Sequence, residues 1–385
     1  MLKLNHPDII VIGAGLAGSS AAAFLSEFAS VMVLERRDHP GTEGAAQNAG
    51  LVRRMDAEPC DRALSQRTHE FLTHTAPELA SKCSAVLGLV RDPLWLHDAR
   101  AHLTAQGVPI QPIETDHCSI LSGAPITHAW HLPDERITDG PKLVDFLLER
   151  ARSNGAHVRC DTQVTSLAVQ SGRCIGVHTD QGTIFAGHIV IAAGAWSGRL
   201  AQDLGLHRPL TALRRMAAII DGPDTTGQPW FWLDDVGLYA KPHNGGWLVS
   251  PCDESPEEPS PTDESTQSPS ADQAALLHQK LSRYLPALSG CPVQYAWTGL
   301  RTFTPDRRPL LGADGECENL WWAAGLGGSG LSNSIGVGEA LAAWMQNQDT
   351  PWLDATGVRP NRAHLRRWPI LPDGDPQRAK LIRAG

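Results

Sequence analysis

The sequence predicts an α/β fold built around a Rossmann-like dinucleotide-binding domain, and three observations near its start carry that expectation. The run Asp8-Ile-Ile-Val-Ile-Gly13 is a short apolar segment that stops at glycine, the pattern of a buried parallel strand. A helix is expected from about Gly15 to Ser26, and Val31-Met-Val-Leu-Glu35 then reads as a second buried strand. Strand, helix and strand within the first 35 residues form a βαβ unit.

Further along, residues 60–76 and 141–153 read as helices, while 157–169, 173–179 and 183–193 alternate or cluster like strands. Tyr239-Ala-Lys-Pro-His-Asn-Gly-Gly-Trp247 carries a hairpin signal, and residues 271–284 read as a helix. Between them, Asp253 to Ser270 is acidic and rich in Pro and Ser, with no residue expected to anchor a core. Its flanks favour a long solvated loop inside one domain over an interdomain linker. A helix is expected from about Ser334 to Met345, and the chain from Arg359 onward reads as a surface tail.

Length and composition bound the class. At 385 residues two to three domains are expected, and 42% hydrophobic content fills real cores, which excludes a disordered or fibrous chain. The net charge of -9 gives nucleic acid no overall electrostatic attraction, so no nucleic-acid partner is expected. The eight cysteines show no CxxC pair or zinc-like spacing, which fits reduced thiols in a cytoplasmic protein. The uncharged stretch Ile9 to Leu25 mimics a signal peptide, but Gly13, Gly15 and Gly18 interrupt it, and no other stretch reaches the length of a membrane span. HExxH, GxSxG and P-loop motifs are absent, and His128 and His131 around Trp130 lack further ligands at useful spacing, so no metal is expected.

The chemistry-bearing motif is Gly13-Ala-Gly15-Leu16-Ala17-Gly18, which follows a strand, opens a helix, and is succeeded by Glu35 at the end of the next strand. The first glycine permits the tight turn and the second lets the backbone approach a pyrophosphate. The helix N-terminus offers unpaired N–H groups and a positive dipole end, and Glu35 can bind ribose hydroxyls. This context alone leaves NAD and FAD both open.

Several segments together resemble the FAD-dependent D-amino-acid oxidase and dehydrogenase superfamily, with a motif order similar to D-arginine dehydrogenases and glycine oxidases. They are Glu35-Arg-Arg-Asp-His-Pro-Gly41, Gln47-Asn-Ala-Gly50, Ala192-Ala-Gly-Ala-Trp-Ser197, Trp297-Thr-Gly-Leu-Arg-Thr-Phe-Thr-Pro-Asp306 and Gly325-Leu-Gly-Gly-Ser-Gly330. The resemblance spans almost the whole chain and implies FAD, held in a Rossmann-like domain of the glutathione-reductase type. It further implies an α+β substrate domain on a mostly antiparallel sheet. The first domain is expected over residues 1–55, 137–205 and 296–350, the second over 56–136 and 206–295, with 351–385 as a C-terminal tail.

Carried onto this sequence, the resemblance places Gly13, Gly15, Leu16, Ala17, Gly18 and Glu35 at the ADP moiety and Arg36 beside the ribose. Asn48 and Ala49 fall at the turn beside the flavin, and Val164 at the strand meeting adenine. Gly194 and Trp196 line the cofactor, and the loop from Gly328 through Gly330, Leu331 and Ser332 to Asn333 lies under the flavin pyrimidine. The helix after that loop can stabilise negative charge on a reduced flavin. Arg301 matches the arginine that holds the substrate carboxylate, Tyr239 a tyrosine that also reaches it, and Arg215 a second polar contact, with Arg214 the rival for the inward position.

The implied reaction oxidises the Cα–N bond of a D-amino acid or small amine by hydride transfer to flavin N5, and the imine is hydrolysed to an oxo acid. A 2-hydroxy-acid or polyol-phosphate dehydrogenase, or a flavin-binding subunit of a heteromeric amine dehydrogenase, are the alternatives. Oxygen and quinone both stand as electron acceptors, and homo- and hetero-oligomers are both open. Leu51-Val-Arg53-Arg54 replaces a histidine-tyrosine lid, and Asp92-Pro-Leu94-Trp95 an acidic side-chain reader, which argues against D-arginine. At most one of Arg53 and Arg54 faces the pocket; if one does, acidic or neutral side chains are expected, unless both arginines reach solvent or pair with Asp56 and Glu58. Gly299 stands where sarcosine oxidases hold a flavin-linked cysteine, so non-covalent FAD is expected.

Overall fold

The computed structural model describes residues 6–365, apart from 92, 116–117, 203, 207, 261–266 and 363–364. Strand β1 (Ile9–Ile12) is buried along its length, and the chain leaves it at Gly13, whose φ of +98° favours glycine. Helix α1 (Leu16–Leu25) leads to β2 (Val31–Leu34), which pairs parallel to β1. Then come β3 (Leu51–Val52), α2 (Pro59–His74), β4 (Ala80–Leu89), α3 (Leu94–Ala105), β5 (Gln111–Pro112) and β6 (His128–Thr138). Helix α4 (Gly140–Ser153), capped by the Asp139 side chain on the Lys142 N–H, returns the chain to β7 (His157–Arg159) beside β2. A small antiparallel sheet of β8 (Val164–Gln170), β9 (Arg173–Thr179) and β10 (Gly182–Phe185) precedes β11 (His188–Ile191), which pairs parallel to β1.

After α5 (Ser197–Gln202) the chain runs through β12 (Thr211–Ile220), β13 (Trp230–Leu233), β14 (Leu238–His243), β15 (Gly246–Ser250) and β16 (Ser255–Glu257). Helix α6 (Ala271–Tyr284) opens with a Ser270/Gln273 capping box. Strands β17 (Val293–Phe303), β18 (Leu310–Ala313) and β19 (Leu320–Ala324) and helix α7 (Gly330–Met345) follow.

Two large sheets result. The first has six strands in the order β18-β19-β11-β1-β2-β7, all parallel except β18. Apolar side chains of its strands and of α1, α2, α4 and α7 form one core, from Val11 and Val33 to Leu64, Leu147 and Ile335. The second is a ten-stranded sheet, antiparallel except where β13 runs parallel to β4. In it β17 pairs with β12 over nearly its whole length, placing Arg301 opposite Leu213 and Arg215 opposite Gly299. The fold is thus mixed α/β, with its long sheet mostly antiparallel.

Four local expectations need correction. The acidic segment from Asp253 is not merely solvated, since Ser255–Glu257 pairs with β12 and the Asp253 and Glu254 carboxylates are buried. Composition hides this, because burial of an acid depends on arginines distant in sequence. The described part of the expected tail is packed: Leu353 and Val358 are buried, and Arg362 makes a two-pronged ion pair with buried Asp306. The rest of that segment, residues 363–364 and 366–385, lies outside the described residues. Finally, β3 and the end of β17 run in the ten-stranded sheet although both fall in segments expected in the dinucleotide-binding domain. The final helix also starts four residues early, at Gly330.

Candidate active site

A cavity of about 1370 Å³ runs from the β1–α1 turn to the face of the ten-stranded sheet. Small-molecule pockets typically measure about 300–1,000 Å³, so this one can hold a dinucleotide and a small substrate together. At one end lie Gly13, Gly15, Leu16 and Ala17. Helix α1 starts there with no side-chain cap and no acidic residue in its first turn, leaving its positive end to the cavity. A Cβ on Gly15 would meet nothing within 4 Å, so the space over this backbone is open for a ligand. Gly18 does not reach the cavity. A Cβ there would lie 1.9 Å from the Gly13 carbonyl oxygen, so its requirement is the close packing of α1 on the turn.

Glu35 lines the cavity at the end of β2, with its two carboxylate oxygens accepting hydrogen bonds from the Ala14 and Arg37 N–H groups at 2.8 and 2.9 Å. The strand and turn thereby fix each other. Arg36 stacks 3.7 Å from the Trp196 ring centroid and is paired with Glu43 at 2.6 Å. Together with Val164 and Gly194 they form the walls of this end. The residues fit the ADP half of FAD: an uncapped helix end for phosphates, a carboxylate for ribose and an aromatic wall for the base.

Midway, Asn48 and Ala49 line one wall and Gly328, Gly330, Leu331 and Ser332 the other. Helix α7 begins at Gly330 uncapped by any side chain and without acidic residues in its first turn, which suits a ring system that gains negative charge. Ser332 holds the β3 end in place, its Oγ accepting from the Arg53 N–H at 3.0 Å and donating to the Leu51 carbonyl at 3.2 Å. Under this helix, buried Asp61 accepts from the Asn333 amide, and burial and Asp56 push its carboxyl well above the usual range. Gly299 packs under Gln47, whose Oε1 would lie 2.4 Å from a Cβ, so a larger side chain there would require Gln47 to move.

The far end is walled by Trp95, Trp230, Trp232 and Tyr239 with Arg53, Arg215, Arg301 and Arg307. Trp232 and Tyr239 face each other across β13 and β14 with ring centroids 6.1 Å apart. Among the described residues, the Arg301 guanidinium donates only to the backbone carbonyls of Leu300 and Gln47, both at 3.1 Å. Burial chiefly, and Arg215 as a like charge, push its pKa below the ordinary arginine value. Burial likewise raises Tyr239. Of the two adjacent arginines of β12, Arg215 lines the cavity and binds Glu254 at 2.8 Å, while Arg214 is not among its lining residues and binds Glu257.

Arg53 and Arg54, directly after β3, also part company. Arg53 lies over the Trp232 ring at 4.4 Å, reaches the cavity and pairs with Asp56. Arg54 turns away into a buried pair with Glu135 at 2.8 Å. Leu94 and Trp95 line the entrance, and Asp92 lies outside the described residues. His128 and His131 sit on β6, away from the cavity lining.

Sequence reasoning named Asp56 as a partner for the arginine pair but missed Glu43, Asp61, Glu254 and Arg307, all of which bear on the cavity. A local signal was available for one of them, since Glu43 follows Arg36 by seven positions. Glu254 and Arg307 are 53 residues apart and meet only through the β12–β17 pairing.

The family model described as FAD dependent oxidoreductase matches residues 8–344. The chain is 25% identical over 377 residues to 4-methylaminobutanoate oxidase (formaldehyde-forming) of Paenarthrobacter nicotinovorans, covering 92% of this chain but 45% of that protein. It is 26% identical over 346 residues to glycine oxidase of Pseudomonas putida, covering 84% and 90% respectively. Among solved structures, L-proline dehydrogenase from P. horikoshii superposes with a TM-score of 0.81 at 20% identity, over 95% of this chain and all of that one.

Proposed function

Because this chain belongs to the family of FAD-dependent oxidoreductases matched over residues 8–344, we propose that it oxidises the Cα–N bond of an amino acid or small amine carrying a carboxylate. The observation that carries this reading is Arg301, a partly buried guanidinium facing the cavity that no carboxylate of the described chain neutralises. A desolvated cation whose terminal nitrogens each keep an N–H beyond their backbone carbonyl calls for an anion, and a substrate carboxylate supplies it. Tyr239, raised by burial and so protonated at neutral pH, can donate its hydroxyl to the same carboxylate.

In this reading Gly13, Gly15, Leu16, Ala17 and Glu35 hold the ADP portion of FAD. Arg36, Val164, Gly194 and Trp196 flank its base and ribose. Asn48, Ala49, Gly328, Gly330, Leu331 and Ser332 flank the ring system. Bound there, FAD supplies the acceptor for the hydride from Cα. The protein's part is orientation and exclusion of water: Arg301 and Tyr239 fix the carboxylate, and Trp95, Trp230 and Trp232 form a dry wall around the side chain. The amine loses a proton as Cα loses its hydride, and the resulting imine takes up water to give an oxo acid and ammonia or an amine.

D-amino acids are the substrates we favour, and a cytoplasmic setting is consistent with the eight free cysteines. No helix among the described residues is long and apolar enough to cross a membrane. Product analysis tests the proposal. The holoprotein is incubated with D- and L-amino acids, glycine, secondary amino acids and 2-hydroxy acids, with oxygen or a quinone as acceptor. Oxo acid formed with stoichiometric ammonia or amine supports it; turnover confined to hydroxy acids, or none with any amine, overturns it.

A further inference from the structure

The charges around the cavity follow a pattern that singles out one residue of the acidic segment. Among the described residues, each cavity arginine withdrawn from solvent is met by a carboxylate of the chain, except Arg301. Arg36 has Glu43, Arg53 has Asp56, and Arg308 has Glu58. Arg215 and Arg307 share Glu254. One Glu254 oxygen accepts from Arg215 at 2.8 Å and from Arg307 at 2.7 Å, and the other accepts from Arg307 at 2.5 Å. The neighbouring Asp253 is engaged elsewhere, accepting from the Met216 N–H and the Gln273 amide.

Arg215 and Arg307 therefore stand in the same cavity as Arg301, with both terminal nitrogens of Arg307 and one of Arg215 engaged by an internal carboxylate that is 4% exposed. A second carboxylate on a substrate would have to displace Glu254 from charge-assisted bonds, or lie buried beside it as a like charge. Either outcome rejects dianions without any contact to the rest of the substrate.

We propose that Glu254 is a specificity-determining residue: it engages the guanidinium groups of Arg215 and Arg307, leaves Arg301 as the single anion anchor among the cavity arginines withdrawn from solvent, and restricts the site to amino acids with one carboxylate. This rests on the reading that Arg301 holds the substrate carboxylate. The acidic Pro- and Ser-rich segment then serves the site, since it carries Glu254 to two cavity arginines, and Glu257 of the same segment is clamped by Arg214.

The test is equilibrium titration of the holoprotein with propionate and with succinate, which present one and two carboxylates, read by intrinsic tryptophan fluorescence. Wild type is expected to bind propionate and to bind succinate at least about tenfold more weakly. In Glu254→Gln the ratio should move at least about tenfold toward succinate. Glu254→Gln exposes two buried arginines and can fail to fold, so the double variant Glu254→Gln/Arg307→Gln is measured beside it, with a smaller shift expected in the same direction. A folded variant with an unchanged ratio, or wild type that already binds succinate as tightly as propionate, overturns the proposal. If instead Arg301→Ala binds propionate as wild type does, it is the carboxylate anchor at Arg301 that fails.

Discussion

Replacing Arg301 with alanine separates a binding residue from a structural one, because the guanidinium has so little to hold it in place within the protein. It donates to two backbone carbonyls, and burial and Arg215 oppose its charge. A bidentate charge-assisted pair with a substrate carboxylate contributes on the order of 2 to 4 kcal/mol in a dry site, so kcat/KM should fall roughly 30- to 900-fold. Stability should not fall in step, since the change removes a desolvated cation with no ion-pair partner among the described residues. Arg54→Ala is the contrast: it strands Glu135 in a buried pair and should cost about 3–5 kcal/mol of stability. Steady-state kinetics, thermal melting and flavin content of each purified variant report the three quantities. Wild-type kcat/KM in Arg301→Ala, or a loss of stability as large as that of Arg54→Ala, would refute the reasoning.

Gly18→Ala should fail to fold, because the new Cβ would sit 1.9 Å from a backbone oxygen, whereas Gly15→Ala, with nothing within 4 Å, should melt like wild type when flavin-free yet bind FAD more weakly. Equal FAD affinity in Gly15→Ala, measured by flavin fluorescence titration, counts against the phosphate site. Acid precipitation should release all flavin into the supernatant, since Gly299 offers no thiol; yellow colour retained in the pellet is the opposing result. His69, donating to the Asp134 carbonyl at 2.8 Å, is lowered to about 4 by burial and by Arg54. Its folded pKa lies below the unfolded value of about 6.5, so its contribution is intact above that pH and is lost toward pH 4, amounting to about 2 kcal/mol at pH 5. Chemical denaturation from pH 7 to 5 should therefore lose less stability in His69→Gln than in wild type.

The parts of the molecule legible in the sequence are those set by short-range pattern. Residues 8–35 are read correctly because a buried strand, a glycine turn and an apolar helix each leave a local signature, and Glu35 follows at the spacing of the unit. Of Arg53 and Arg54 one side chain lines the cavity, within the expected limit, but which one depends on contacts distant in sequence, with Ser332 and Glu135. Gly18 fits the motif yet serves packing, a distinction that needs the 1.9 Å approach rather than the spacing. Least legible is Glu254, since an acidic, proline-rich stretch reads as solvated until β12 and β17 bring Arg215 and Arg307 to it.

In the proposed reaction the bound flavin takes electrons from a C–N bond beside a carboxylate held at Arg301. Its most direct measurement is the anaerobic loss of the holoprotein's visible absorbance on mixing with each of a panel of D-amino acids, with the matching amine that lacks the carboxylate, and with the matching 2-hydroxy acid. The account predicts bleaching by at least one amino acid, at a rate about 100-fold or more above its decarboxylated amine at equal concentration, and none by the hydroxy acid. Equal rates with and without the carboxylate, or bleaching by hydroxy acids alone, would contradict it.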